Sequence, residues 1–315
     1  MRLTIEELEA RAAEAREMLS ACALCGHQCA ADRASGELGR CACGAVAKVA
    51  SAGLHPGEEP SLGPHAGTVF FSGCNLTCVY CQNWQISQEG QGREMAASEL
   101  AEAMLRLQGE GAANIDLVSP TPWVPAILEA LVIAGRRGLI LPIVYNTGGY
   151  DRADALRLLD GVVDVYLPDM RYSWGRAADR FSGARDYPEV NRAAVREMYR
   201  QAGDVVFNER QQAVRGLIVR LLVLPNGLAG VRDSLSWIAE NLSTATWVSL
   251  MAQYAPAHRA EEYLELARPV SDGEYRALLD LADELGFENF YTQAPESRQA
   301  LRPDFRRARP FDGGA

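Results

Sequence analysis

Three cysteines close together are the residues of this chain best placed to do chemistry. Cys74, Cys78 and Cys81 stand at Cys-x3-Cys-x2-Cys spacing in Gly73-Cys74-Asn75-Leu76-Thr77-Cys78-Val79-Tyr80-Cys81-Gln82-Asn83-Trp84. Disulfides consume thiols in pairs and would leave one over. A tetrahedral zinc site needs a fourth ligand, and no Cys or His follows closely. Three thiolates do suit an iron–sulfur cube in which the protein holds three irons and one is left open.

A second cysteine group precedes the first. Cys22, Cys25, Cys29, Cys41 and Cys43 surround His27 in a stretch rich in turn-forming glycines, Gly26, Gly36, Gly39 and Gly44. Such a segment is too small to close on a core of its own, and a metal held by Cys22, Cys25, Cys29 and Cys41 would close it. Zinc and an auxiliary iron–sulfur cluster both fit, and redox-active or incidental thiols are the other reading. Cys43 and His27 are spare, so spacing does not fix the ligand set.

The bulk numbers bound what these groups can belong to. A chain of 315 residues suits one large α/β domain with an appendage, or two ordinary domains. A formal charge of −10 argues against a nucleic-acid or anionic-membrane surface, since both need clustered positive charge. The arginines near the end (Arg302, Arg306, Arg307, Arg309) read as a solvated tail over 301–315. No stretch approaches the roughly 20 apolar residues of a membrane span, and the first residues lack a signal-peptide core. Cysteines without a secretion signal are expected in a reducing cytoplasm. Lys48 is the only lysine, which excludes a Walker phosphate loop and disfavours a Schiff-base mechanism.

The elements that must position the thiols follow from periodicity. Thr4 and Glu7 have capping-box spacing ahead of a weak apolar stripe, Leu8, Ala12, Ala15 and Leu19, which predicts a first helix. The stretch 51–67, rich in Gly, Pro and His, reads as an irregular connector, with His55 and His65 given no role. From 68 onward, apolar runs at 68–72, 114–118, 139–145, 162–167, 216–224, 247–251 and 289–292 alternate with helical patterns at 98–108, 122–134, 151–159, 187–201, 231–241 and 272–285. Ser98 and Asp151 are the expected N-caps. Strand–helix repeats with doubly buried runs imply a parallel sheet, here a partial (β/α)6 barrel of the TIM type over 67–300, preceded by a small Cys-rich segment within 1–66. Reactive groups then belong on loops leaving the C-terminal ends of the strands.

Several polar groups fall at those ends. Tyr145-Asn146-Thr147-Gly148-Gly149-Tyr150 joins donors and acceptors to paired glycines that let backbone approach a ligand. Arg220 is the one charge in an apolar strand and needs an anionic partner, either a ligand carboxylate or a structural Asp or Glu. Asp169 orients a ligand or serves as a paired carboxylate. Met251, near Gln253 and Tyr254, reads as core or as the floor of a pocket.

The Cys74–Cys81 loop, with Tyr80 before the last Cys, resembles the signature of the radical S-adenosylmethionine (SAM) superfamily. The resemblance narrows to one branch through His55-Pro56-Gly57-Glu58-Glu59-Pro60, Phe70-Phe71-Ser72-Gly73-Cys74-Asn75-Leu76, Tyr145 to Tyr150 and Tyr166-Leu167-Pro168-Asp169. These are similar to the branch related to pyruvate-formate-lyase activating enzyme and called PflX, and the similarity spans nearly the whole chain. It implies a [4Fe–4S] cluster on Cys74, Cys78 and Cys81 that chelates SAM and yields a 5′-deoxyadenosyl radical for hydrogen abstraction. It implies SAM contacts from the backbone near Tyr80, from Asn146 and from Arg220, with Asp169 as the catalytic candidate. The family's Gly-Gly-Glu contact is absent, so Ser119 or Thr121 would substitute, or else that stretch is a Pro-closed turn. The family's Asp-x-Lys appears only as Asp169-x-Arg171, and an arginine is a poor proton donor.

The implied partners are a flavodoxin or ferredoxin-type electron donor and a protein, peptide or small-molecule substrate, with a glycyl-radical enzyme as one such protein. Two other readings stay open: a non-catalytic iron–sulfur protein for electron transfer or redox sensing, and a zinc-stabilised binding protein.

Overall fold

The computed structural model describes residues 2–56, 59–292, 303–307 and 310–311. Ten strands among them form one sheet: β1 (Ala47–His55), β2 (Ala66–Phe71), β3 (Arg93–Met95), β4 (Ile115–Val118), β5 (Ile143–Thr147), β6 (Val165–Pro168), β7 (Val206–Phe207), β8 (Ala213–Leu222), β9 (Trp247–Met251) and β10 (Phe290–Thr292). Every residue of β2, β4, β5 and β6 is buried, as expected where helices cover both faces of a parallel sheet. The order is β10-β9-β8-β6-β5-β4-β2-β1-β3; β2, β4, β5, β6, β8, β9 and β10 run parallel, and β7 pairs antiparallel on β8. Six strand–helix units and a seventh parallel strand make the expected open α/β barrel.

The helices are α1 (Ile5–Glu17), α2 (Trp84–Ser87), α3 (Ala97–Gly109), α4 (Val124–Arg136), α5 (Ala153–Arg157), α6 (Gly175–Ser182), α7 (Tyr187–Ala202), α8 (Val231–Asn241) and α9 (Asp272–Glu284). The Thr4–Glu7 capping box is present, and α1 lays Leu8, Ala12 and Ala15 on α4. Its weak stripe therefore finishes a larger body instead of forming one.

Four expectations need correction. The stretch taken as a connector contains most of β1, which pairs antiparallel with β2 and carries β3 on its other edge. A bulge between Val49 and Ser51, together with small residues such as Ala52 and Gly53, hides the two-residue period. Ala96, not Ser98, precedes α3, and Glu99 folds back to its amide at 2.9 Å. Asp151 does not cap α5, because its carboxylate is drawn into the barrel. The end of the chain is not simply solvated: Phe305 and Phe311 pack on Phe70, with ring centroids 5.5 and 5.3 Å away. Arg306 and Arg307 are exposed as expected. Arg302 and Arg309, like Gly57 and Glu58 of the connector motif, lie outside the described residues.

Candidate functional site

The loop after β2 is held from several sides. Gly73 takes φ +80°, and a β-carbon there would sit 2.3 Å from Cys43 Sγ, so only glycine admits both the turn and the close approach. Val79 N–H donates to Phe181 O at 2.9 Å and Thr77 N–H to Ser182 O at 3.1 Å, which docks the loop on the end of α6. That short helix was not foreseen, yet it supplies the Ser182 hydroxyl that donates to Cys78 Sγ at 3.0 Å. Leu76 N–H lies 3.4 Å from Cys74 Sγ, and Ser87 Oγ 3.3 Å from Cys81 Sγ.

Burial pushes the Cys74 thiol up to about 12 and raises Cys81 as well, and the neighbouring Cys78 adds to both. Thiolates crowded in so dry a place require a cation to stabilise them. Among the described residues, no three Cys, His, Asp or Glu side chains converge on a point that would hold a lone ion. Three spaced sulfurs with N–H and O–H donors suit three separate irons of a cluster. The residues present fit the group the spacing implies.

Beside the loop lies a chamber of about 410 Å³ at the C-terminal ends of the parallel strands. Tyr80 and Cys81 border it from the loop, Asn146 from β5, and Asp169, Arg171 and Arg220 from β6 and β8. Asp169 is 5% exposed and shared by two cations: Arg171 Nη2 donates to Oδ2 at 2.5 Å and Arg220 Nε to Oδ1 at 2.9 Å. The anionic partner required by Arg220 is thus a protein carboxylate. Glu59, itself buried, borders the same chamber, so two guanidiniums and two carboxylates line it. Gly149 makes the geometry of Asp169 possible, for a β-carbon there would meet Asp169 O at 2.2 Å.

Tyr80 turns its hydroxyl to Tyr172 at 2.7 Å, and Tyr172 continues to Ser182 at 2.7 Å, behind the thiols. Thr121 does not border the chamber. Its hydroxyl donates to Asp151 Oδ1 at 2.7 Å, within a buried cluster that Thr147 (2.7 Å) and Tyr145 (2.9 Å) complete. Burial raises the Asp151 carboxyl while those three hydroxyls oppose the shift. Ser119 takes a left-handed φ of +60°, as a tight turn requires.

The aromatic wall was missed. His55, Phe70 and Phe311 border the chamber, and the His55 ring lies 4.2 Å from that of Phe311. Phe305 N–H donates to Gln85 Oε1 at 2.8 Å, tying the end of the chain to α2. Two phenylalanines among arginines were the available signal.

The N-terminal thiols form a separate group. Cys22, Cys25, Cys29 and Cys41 border a small cavity of about 10 Å³ together with His27 and Arg33. Burial pushes Cys25 up to about 12, whereas a hydrogen bond from Cys43 lowers Cys41 to about 6. All eight cysteines are free of disulfides. No helix among the described residues is long and apolar enough to cross a membrane.

Comparison with known proteins adds four findings. The family model of the Radical SAM superfamily matches residues 68–169. An uncharacterized protein of Methanocaldococcus jannaschii is 29% identical over 287 residues, covering 88% of this chain and 78% of that one. A radical SAM methyltransferase of Sphaerobacter thermophilus aligns at 16% identity and a TM-score of 0.48, over 72% of this chain and 66% of its own. Streptococcus suis SuiB bound to S-adenosylmethionine aligns at 10% and 0.49, over 70% and 48%. The chain thus spans about half to two thirds of the length of these solved structures.

Proposed function

We propose that this chain, whose residues 68–169 match the Radical SAM family model and which uses a [4Fe–4S] cluster and SAM as cofactors, abstracts hydrogen from a substrate held in the chamber beside Cys81. The observation that carries the reading is the three-thiol loop at the end of a buried strand, opening on a polar chamber. Cys74, Cys78 and Cys81 would hold the cluster. When bound, the cofactors supply a 5′-deoxyadenosyl radical by one-electron reduction of the sulfonium.

The protein's own part is positioning and exclusion. The guanidiniums of Arg171 and Arg220 at the chamber's edge offer N–H donors that suit a carboxylate such as that of SAM. The Asn146 side chain offers an amide at the same level. Tyr80, Tyr172 and Ser182 fix the loop by a chain of hydroxyls, and Phe70, Met251 and Phe311 give the chamber an apolar wall. A reduced flavodoxin or ferredoxin delivers the electron. The glycyl loop of a partner enzyme, another peptide and a small molecule are the candidate substrates. Where the activating enzymes carry Asp-x-Lys this chain has Asp169-x-Arg171, so Arg171 would act there by charge and not by proton donation.

Titration of the reduced, reconstituted protein with SAM, followed by electron paramagnetic resonance, tests this. The reading expects a change in the cluster's signal that saturates with SAM. A signal that ignores SAM would leave an electron-transfer or redox-sensing protein.

A further inference from the structure

Outside the chamber, the most demanding charge belongs to Arg33, whose side chain is buried at 1% exposure. A buried guanidinium needs an anion. Arg171 and Arg220 share Asp169, but no carboxylate lies within ion-pair distance of Arg33 among the described residues. Its Nε and Nη2 donate to Gly44 O at 3.1 and 2.5 Å, Nη2 also donates to Pro122 O at 2.7 Å, and Trp123 lies 5.7 Å away. Carbonyls and a ring face solvate a cation without neutralising it. The remaining contact is Nη1 to Cys22 Sγ at 3.5 Å.

The other thiols are close by. A β-carbon on Gly39 would lie 3.2 Å from Cys41 Sγ, 3.6 Å from Cys29 Sγ and 3.7 Å from Arg33 Cδ. Cys25 borders the same cavity. The backbone around these residues is bent into the left-handed region at non-glycine positions: Gln28 (φ +41°), Ala30 (+52°) and Ala42 (+57°). Each such residue costs about 1–2 kcal/mol, and the strain persists only where further contacts fix it.

We propose that Cys22, Cys25, Cys29 and Cys41 bind a metal centre as four thiolates, with Arg33 as its internal counter-cation. A dicationic core on four thiolates is doubly negative, whether that core is zinc or an iron–sulfur cube, and Arg33 halves the excess. Binding of zinc, or transfer of a preformed cluster, releases the thiol protons to solvent and involves no redox change. Among the described residues no three ligating groups converge as they stand, so binding requires the four thiols that line this one cavity to turn toward a common centre.

The test uses full-length protein carrying Cys74→Ala, Cys78→Ala and Cys81→Ala, purified without oxygen, with zinc, iron and sulfide counted. About one zinc per chain, or about four irons with sulfide, is the expected result. Less than about a tenth of either stoichiometry overturns the proposal. Arg33→Leu in the same background should release the metal to a chelator about 10- to 100-fold faster, with partial recovery in Arg33→Lys. Release at the parent rate overturns the role of Arg33. Should those variants not fold, alkylation of the unmodified protein decides: Cys22, Cys25, Cys29 and Cys41 are protected until a chelator is added, and equal reactivity before and after overturns the site. The radical reading stands or falls apart from this, because it is judged by SAM's effect on the first cluster's signal in unmodified protein.

Discussion

The two thiol groups nearly touch, yet they are built for opposite ends. Asn75 lies between them, its carbonyl 2.8 Å from His27 Nε2 and its Oδ1 3.8 Å from Cys74 Sγ. Cys74, Cys78 and Cys81 sit on a loop anchored by a buried strand and by α6, receive N–H and O–H donors, and border a 410 Å³ chamber through Cys81. Cys22, Cys25, Cys29 and Cys41 hang on a turn-rich segment, face a buried guanidinium, and enclose about 10 Å³. On the two proposals, the same ligand atom supports reaction in one group and closure in the other. What separates the two is the space left beside the sulfur and the charge placed behind it.

The sharpest break in this comparison is the loss of one thiol from each group. Cys78→Ala should reduce 5′-deoxyadenosine formation to the level without enzyme. Cys22→Ser should instead act on folding, lowering the melting temperature by about 2–4 °C per kcal/mol lost. Calorimetry and product analysis on both variants check this, and matching profiles would erase the distinction.

Next in size is Asp169→Ala, which leaves Arg171 and Arg220 facing each other without their carboxylate. Breaking a buried pair in this way costs about 3–5 kcal/mol, readable in urea unfolding. Arg33→Leu in the metal-bound protein should cost less, about 1–3 kcal/mol, because the thiolate centre it leaves with one more uncompensated charge still holds its metal, whereas Asp169→Ala leaves two buried cations with no such ion between them. Equal losses would mean that the two guanidiniums are held alike.

Smaller effects concern the chamber's wall and the back of the cluster loop. Phe311→Ala removes ring contacts worth about 0.5–1.5 kcal/mol, so KM should rise about 2- to 13-fold at constant kcat. A change in kcat alone would place Phe311 elsewhere in the mechanism. Ser182→Ala removes a donor from Cys78 Sγ and should shift the reduction potential of the first cluster downward without loss of iron. An unchanged potential in voltammetry would make Ser182 a packing residue.

Much of this was legible in the residues. The strand at Trp247–Met251 and the helix at Val231–Asn241 fall where doubly buried runs and periodicity put them. Asp169 and Arg220 were each visible at strand ends, but not as partners, because their pairing spans two strands. β1 escaped notice because its small residues and bulge carry no alternation, and α6 because eight residues are too few for a stripe. Thr121 looked available for a ligand until Asp151, a residue distant in sequence, claimed its hydroxyl. Arg33 has no signal of its own in the sequence, since nothing local reveals that Pro122 O and Cys22 Sγ enclose it.

The central claim is that the first thiol group leaves an iron open to SAM. Its most direct test is to incubate the anaerobically reconstituted protein with SAM and a strong reductant and measure 5′-deoxyadenosine. The account predicts product in wild type and none in the Cys78→Ala variant. An intact, reduced cluster that yields no 5′-deoxyadenosine would contradict it.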